Sequence, residues 1–301
     1  MIEVIESVGS STIRVAMIYI LAATGSNIAE KSGILNLTIE GNMLISAFAA
    51  IVIALATGSA YIGLLGAVVV GMVFGAFYGL LVITGKSEQM IASLALNLFA
   101  AGLTTYLLRD FFGSAGASPK VTSIPQVVIP GLSNIPILGK TFFIQSPVVY
   151  VGIALVGLMY YMLKHTKFGL RVISVGENPM AAQTVGVNVR RVRYFAIIIA
   201  GALAGIAGGY LSVSLSSQFV KNMTAGRGFI ALSTVIVGKH KPINIGLAGL
   251  LFGFFEALQI RLQLLDIPTQ FIQSIPYLVT VFVIAFFVGK DDNPAAITQP
   301  F

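Results

Sequence analysis

Asn36-Leu37-Thr38-Ile39-Glu40-Gly41-Asn42 opens an apolar run that continues to Thr57. Two amides, a threonine, a carboxylate and a glycine interrupt a segment otherwise long enough to span a bilayer. Non-helical backbone at membrane depth is tolerated only where protein or a water-filled cavity receives its polar groups. The stretch therefore reads as a broken or re-entrant element inside a bundle. It also has an echo. Asn36-Leu37-Thr38 recurs as Asn222-Met223-Thr224, Ile62-Gly63-Leu64-Leu65-Gly66 as Ile245-Gly246-Leu247-Ala248-Gly249, and Gln89-Met90-Ile91 as Gln270-Phe271-Ile272. The order is kept, and the offset drifts slowly from 186 to 181 residues. The second copy of the break precedes Gly228–Gly238, a run barely half the length of about 20 residues that a membrane helix needs.

Of the 301 residues, 56% are hydrophobic and 10% charged, and the mean hydropathy is +0.93. A soluble domain carries about 25% charged residues, so this chain cannot cover a water-facing surface of its own size. The same hydrophobicity excludes disorder. The fold class is all-α: a polytopic transmembrane helical bundle, with residues 1–301 as one domain. Cysteine is absent, which removes disulfides, thiol nucleophiles and cysteine metal sites; His165 and His240 lie near no second metal ligand. The net charge of +7 is concentrated between apolar runs, where it fixes topology, and no basic-aromatic surface exists to read nucleic acid.

Membrane-length apolar runs are Thr12–Ala29, Leu35–Thr57, Tyr61–Thr84, Gln89–Leu108, Pro147–Leu163, Tyr194–Ser216, Ile243–Leu265 and Thr269–Val288, with Gly228–Gly238 as the short one. About eight to ten spans are expected. Glu3 and Glu6 precede the first run, unlike the basic start of a signal peptide, so the first helix is expected to be retained. The Gly- and Pro-rich segment 109–146, with Pro130 and Pro136 among its breakers, reads as a loop. Segment 164–193 carries Lys164, Lys167, Arg171, Arg190, Arg191 and Arg193 against the single acid Glu177, and the positive-inside rule makes it cytoplasmic. Counting from there puts 109–146 and the N-terminus outside and the 290–301 tail inside. The repeat halves, about 12–108 and 193–288, then have opposite orientations. An inverted repeat with broken helices points to a transporter; tight packing in a channel, receptor or membrane enzyme is the other reading. Gly71, Gly75 and Gly79, and Gly249 and Gly253, are spaced for close helix approach in lipid.

Gly79 to Ser87 mimics a phosphate-binding loop, but five residues separate Gly79 from Gly85 where the motif needs four. No hydrolase signature is present. No catalytic role and no bound cofactor are expected. Ionisable groups inside apolar runs default to functional hypotheses. Arg14 lies near enough to a membrane end to snorkel. Glu40 either caps and cross-links helices or lines a solute path with Asn36 and Thr38. Glu256 and Arg261 are expected to pair with other helices. Asn97 is mid-span and either binds solute or bonds a neighbouring helix, and Phe229 either stacks on a planar ligand or packs in the core. Gly176-Glu177-Asn178-Pro179-Met180-Ala181-Ala182-Gln183-Thr184-Val185-Gly186 reads as one short helix, with Asn178 as N-cap, Pro179 in the first turn and Gly186 as the stop. Small Ala181 and Ala182 leave room for a partner to approach.

Glu30 to Leu44 is similar to the first signature of the ABC-importer permeases for nucleosides and simple sugars. Phe168-Gly169-Leu170-Arg171 with Val175 to Ala182 resembles the cytoplasmic coupling segment of that family, and Gly226-Arg227-Gly228-Phe229-Ile230-Ala231-Leu232 its second-half signature. Ser93 to Asn97 fits the nucleoside branch. One departure is the basic Lys239-His240-Lys241-Pro242 turn, where the family has small residues. The resemblance implies a permease subunit of an ATP-driven importer working by alternating access. It implies a second permease subunit, a cytoplasmic ATPase pair docked on Gly176, Glu177, Asn178, Pro179, Ala181, Ala182 and Gly186, and an external solute-binding lipoprotein. The solute path would run near Asn36, Thr38, Glu40, Asn97 and Phe229. A simple-sugar permease, an ion-coupled secondary transporter and a receptor-like protein are the alternatives.

Overall fold

The computed structural model describes residues 2–128, 138–263 and 269–287, together with 294, 295 and 297. Leu265, Val288, Pro130, Pro136 and most of the 290–301 tail lie outside the described residues. The helices are α1 (Ile2–Glu30), α2 (Ile39–Thr57), α3 (Ala60–Gly79), α4 (Gln89–Phe112), α5 (Leu138–Phe142), α6 (Pro147–His165), α7 (Lys167–Glu177), α8 (Pro179–Thr184), α9 (Val189–Gly209), α10 (Arg227–Val237), α11 (Pro242–Leu262) and α12 (Thr269–Phe287). Turns of π-helix extend α3 to Thr84 and α9 to Ser216. Among the described residues one small antiparallel pair, β1 (Val127–Val128) with β2 (Ile144–Gln145), completes the inventory of regular structure. Among the described residues seven helices are long and apolar enough to cross a membrane; α10 and the Ser274–Val283 part of α12 are shorter apolar helices. Each apolar run of the sequence thus holds one helix.

Some boundaries differ from the hydropathy reading. Helix α1 starts near Ile2 rather than Thr12, and α4 runs past Leu108 to Phe112, so Arg109 and Asp110 are helical. A helix stops where its backbone is turned, here at Gly113 with φ +62°, not where hydropathy falls. The loop beyond it contains α5 and the β1–β2 pair. The two breaks are real: residues 31–38 form turns and extended chain before α2, and α10 follows a turn with Ser217, Asn222, Ala225 and Gly226 at positive φ.

Packing is reciprocal between the halves. Gly71 and Gly75 of α3 lie against Gly201 and Gly205 of α9, close enough that a Cβ at any of them would overlap the facing backbone. Gly249 and Gly253 of α11 take the same role against Ile20 and Ala16 of α1. In each case the helix after the one that starts at a break packs on the first helix of the other half. Such glycine contacts replace the hydrophobic drive that lipid removes. At one end of the bundle the last turn of α1 meets α7 and α9: Gly176 abuts the Lys31 carbonyl, and Arg193 Nε donates to Ser32 O at 3.1 Å. At the other end, Gln145 Nε2 donates to Ser10 Oγ at 3.2 Å, which sets the start of α1 beside the 138–146 segment. Helices α1 and α9 therefore run antiparallel, one ending where the other begins. Outward apolar residues such as Leu65, Val69 and Val73 on α3 and Leu98 on α4 give the bundle its lipid-facing skin.

Candidate functional site

The two breaks meet in the interior of the bundle. Helices α2 and α10 both start there, so two positive dipole ends come together. Glu40, in the first turn of α2, lies between them: its Oε1 accepts from Gly226 N at 2.8 Å and its Oε2 from Gly228 N at 2.7 Å. The carboxylate of one half thereby caps the half-helix of the other. The contact requires Gly228, because a Cβ there would stand 2.6 Å from the Glu40 Cα. Asn97 of α4 secures the first break, with Nδ2 donating to Leu37 O at 2.9 Å and Oδ1 accepting from Gly41 N at 2.8 Å. Tyr277 of α12 does the same for the second, its hydroxyl donating to Ala225 O at 2.6 Å. Freed backbone groups at membrane depth acquire partners in this way.

The five residues expected near a solute path are thus differently placed. Asn36 and Thr38 are buried and bonded to one another, Thr38 Oγ1 donating to Asn36 Oδ1 at 2.8 Å. Glu40 and Asn97 are half-buried and occupied by backbone. Phe229 is 44% exposed, which overturns core packing as its role. Behind the junction, Arg227 Nε and Nη2 donate to Glu256 Oε1 at 2.9 and 2.6 Å, and the Tyr19 hydroxyl donates to Glu256 Oε2. Glu256 accordingly pairs with another helix, α10. At the far end of α10 the turn with Lys239 and His240 at positive φ folds inward. His240 Nδ1 lies 3.3 Å from Asn27 Oδ1 and 3.5 Å from Glu30 Oε2, and Ser26 Oγ donates to Glu30 Oε1 at 2.8 Å. Helix α10 is therefore held at its start by the first turn of α2 and beyond its end by the last turns of α1. Among the described residues no cluster of three metal-ligating side chains occurs.

The segment expected to couple to a partner holds two helices, α7 before the expected α8. Thr166 caps α7, its Oγ1 accepting from Gly169 N at 3.2 Å, and Asn178 caps α8, its Oδ1 accepting from Ala181 N at 3.0 Å. Gly186, at φ +84°, turns the chain after α8. Glu177, Asn178, Ala181 and Gly186 are exposed. Gly176, Pro179 and Ala182 are buried, so their place is to seat the helices on the bundle; the expectation that Ala182 leaves room for a partner is corrected, since that side of a six-residue helix faces inward. The outward side instead presents Met180 at 69% and Val185 at 79% exposure, with Leu170 of α7 at 70%. These three and Tyr277 were missed from sequence. Tyr277 stands to the second break as Asn97 does to the first, and the repeat offset near 181 was the available signal.

Residues 10–286 match the family described as the branched-chain amino acid transport system / permease component. The chain belongs to this family. The permease is similar to the guanosine ABC transporter permease protein of Bacillus subtilis, at 34% identity covering 100% of this chain and 98% of the relative. It is similar to the putative glucose ABC transporter permease protein of Haloferax volcanii (33%; 97% and 96% covered) and the nucleoside ABC transporter permease protein of Lactococcus lactis subsp. cremoris (34%; 92% and 90% covered). Each of these organisms also holds a second permease named for the same solute, at 24–27% identity. The family and the seven long apolar helices make this permease a multi-pass plasma-membrane protein whose role is transport.

Proposed function

We propose that this permease is the membrane subunit of an ABC importer for nucleosides, paired with a second, non-identical permease chain. The observation that carries the reading is the capped α7–α8 pair, which turns Leu170, Met180 and Val185 outward at the basic end of the bundle. Exposed apolar side chains on rigid, capped helices are what a docking partner needs. A cytoplasmic ATPase pair, which alone uses ATP, docks there. Its closure pushes α7 against the α1–α2 connection through Gly176 and Lys31. Because the helices flanking that connection hold α10 at both ends, the push reaches the junction where α2 and α10 start, and there Phe229 faces the path. An external binding protein delivers solute to the opposite end. The chain's own groups bind and orient; they make and break no bonds.

Support for nucleosides is the guanosine and nucleoside names of two relatives; the glucose name of the third keeps a sugar as the second reading. The paired permeases of the three organisms support a heteromer. The test is uptake of labelled guanosine and glucose into proteoliposomes holding the assembled transporter, wild type against Met180→Asp/Val185→Asp. ATP-dependent guanosine uptake, abolished in the double variant with the membrane fold intact, is the expected result. Glucose uptake alone would move the substrate to the second reading. Uptake unaffected by the double variant would remove α8 as the docking site.

A further inference from the structure

Arg14 is a cation that the fold leaves unmatched. It lies on α1 one turn after Ser10, at the end of the bundle that holds the 138–146 segment. Sixteen residues of helix separate it from Glu30, or ~24 Å of rise. With the inner boundary of the bilayer set at Glu30, that rise reaches the outer part of a hydrocarbon layer about 30 Å thick. The positive-inside rule gives a cation no reason to be there. Its Nη2 donates to Ser10 Oγ at 2.7 Å, while Nε is buried with no partner. Among the described residues no acid pairs with it: Glu256 is taken by Arg227, and Glu30 lies at the opposite end. The hydroxyl of the fully buried Tyr210, within electrostatic reach of Arg14, is also unpartnered.

Arg14 borders a cavity of about 510 Å³ between α1, the 211–223 segment and α11. Its walls are mostly apolar, with Val15, Ile18, Leu211, Leu215 and Ile260 lining it, and Ser11 and Ser216 supply hydroxyls. Ile260 and Val220 are part-exposed, so the cavity opens on the bundle surface. Arg227 and Glu256 also line it but neutralise one another in an ion pair at 2.6 Å. Among the described lining residues Arg14 is thus the one uncompensated charge, and a guanidinium beside a largely apolar wall selects a ligand with one negative group and a hydrocarbon body. A neutral solute satisfies the wall and not the charge; a free inorganic anion does the reverse. We infer that this cavity binds an anionic phospholipid of the outer leaflet, its phosphate on Arg14 and Ser11 and its acyl chain along Ile18, Leu215 and Ile260. The bound lipid is distinct from the transported solute and wedges α1 against α11, the contact on which one half of the reciprocal packing depends.

The assembled transporter in nanodiscs of phosphatidylcholine, titrated with spin-labelled phosphatidylglycerol, tests this. Wild type is expected to retain the probe, Arg14→Gln to bind it about tenfold more weakly, as loss of one charge-assisted bond implies, and Arg14→Lys to recover part of the loss. Leu215→Trp, which fills the cavity and keeps the charge, is expected to displace the probe as well and serves if Arg14→Gln does not assemble. Equal retention in wild type and the assembled variants overturns the proposal. So does Arg14-dependent stabilisation by inorganic phosphate with no phosphatidylglycerol effect, which would make the cavity a site for a water-soluble anion.

Discussion

Glu40 looks like a solute ligand in sequence because a carboxylate inside an apolar run is costly. In the fold its cost is offset by two backbone donors at a helix start, 2.8 and 2.7 Å away. Those donors belong to residues 186 and 188 positions along the chain, so no local pattern could name them. Glu40→Ala strips the N–H groups of Gly226 and Gly228 of their acceptor and leaves α10 uncapped. With hydrogen bonds to charged groups worth about 1.5–3 kcal/mol each, the variant should lose about 3 kcal/mol in detergent unfolding and lose uptake. Glu40→Ala with wild-type melting would mean that the carboxylate does not hold α10. Asn97 and Tyr277 tell the same story at neutral groups. Arg14 is the reverse case: isolated in sequence, it is also unmatched in the fold.

Broken helices and glycine seams are the elements that join the two halves. Asn178, Pro179 and Gly186 were legible as a helix start, first turn and stop because capping is set by a handful of neighbours. Which side of that helix faced a partner was not legible, since it depends on how α7 seats against α1. The α3–α9 seam makes an element-scale prediction. Gly201→Leu places a side chain where the Gly71 backbone stands, and overpacking of this kind costs at least about 1–3 kcal/mol. The expected outcome is a lower melting temperature and poor recovery from membranes, with Gly157→Leu, which meets nothing within 4 Å, as the neutral control. Equal recovery of both would show that the seam is not closely packed.

At the scale of the molecule, the two halves run in opposite directions and clasp one another: a carboxylate from the first half caps a helix of the second, and α3 and α11 exchange partners across the halves. Opposite orientation fixes sidedness, and the cysteine-free chain makes that easy to measure. Single substitutions Ser7→Cys and Ala115→Cys should react with a membrane-impermeant maleimide added outside intact cells. Gln183→Cys should react only after permeabilisation. Labelling of Ser7→Cys from the same side as Gln183→Cys would mean an even number of crossings before α7 and would remove the inverted arrangement.

The sequence by itself determined the membrane class, the number of apolar helices, the positions of both breaks, the repeat, the basic side and the caps of α8. Each depends on composition or on residues within a turn or two of one another, and bilayer thickness and capping act over that range. Tertiary structure alone decided that Glu40 serves the other half's helix, that Tyr277 answers Asn97, that Ala182 faces in while Met180 and Val185 face out, and that His240 locks α10 to α1. Those outcomes rest on contacts between residues far apart in the chain, where direction and distance are set by how whole helices pack.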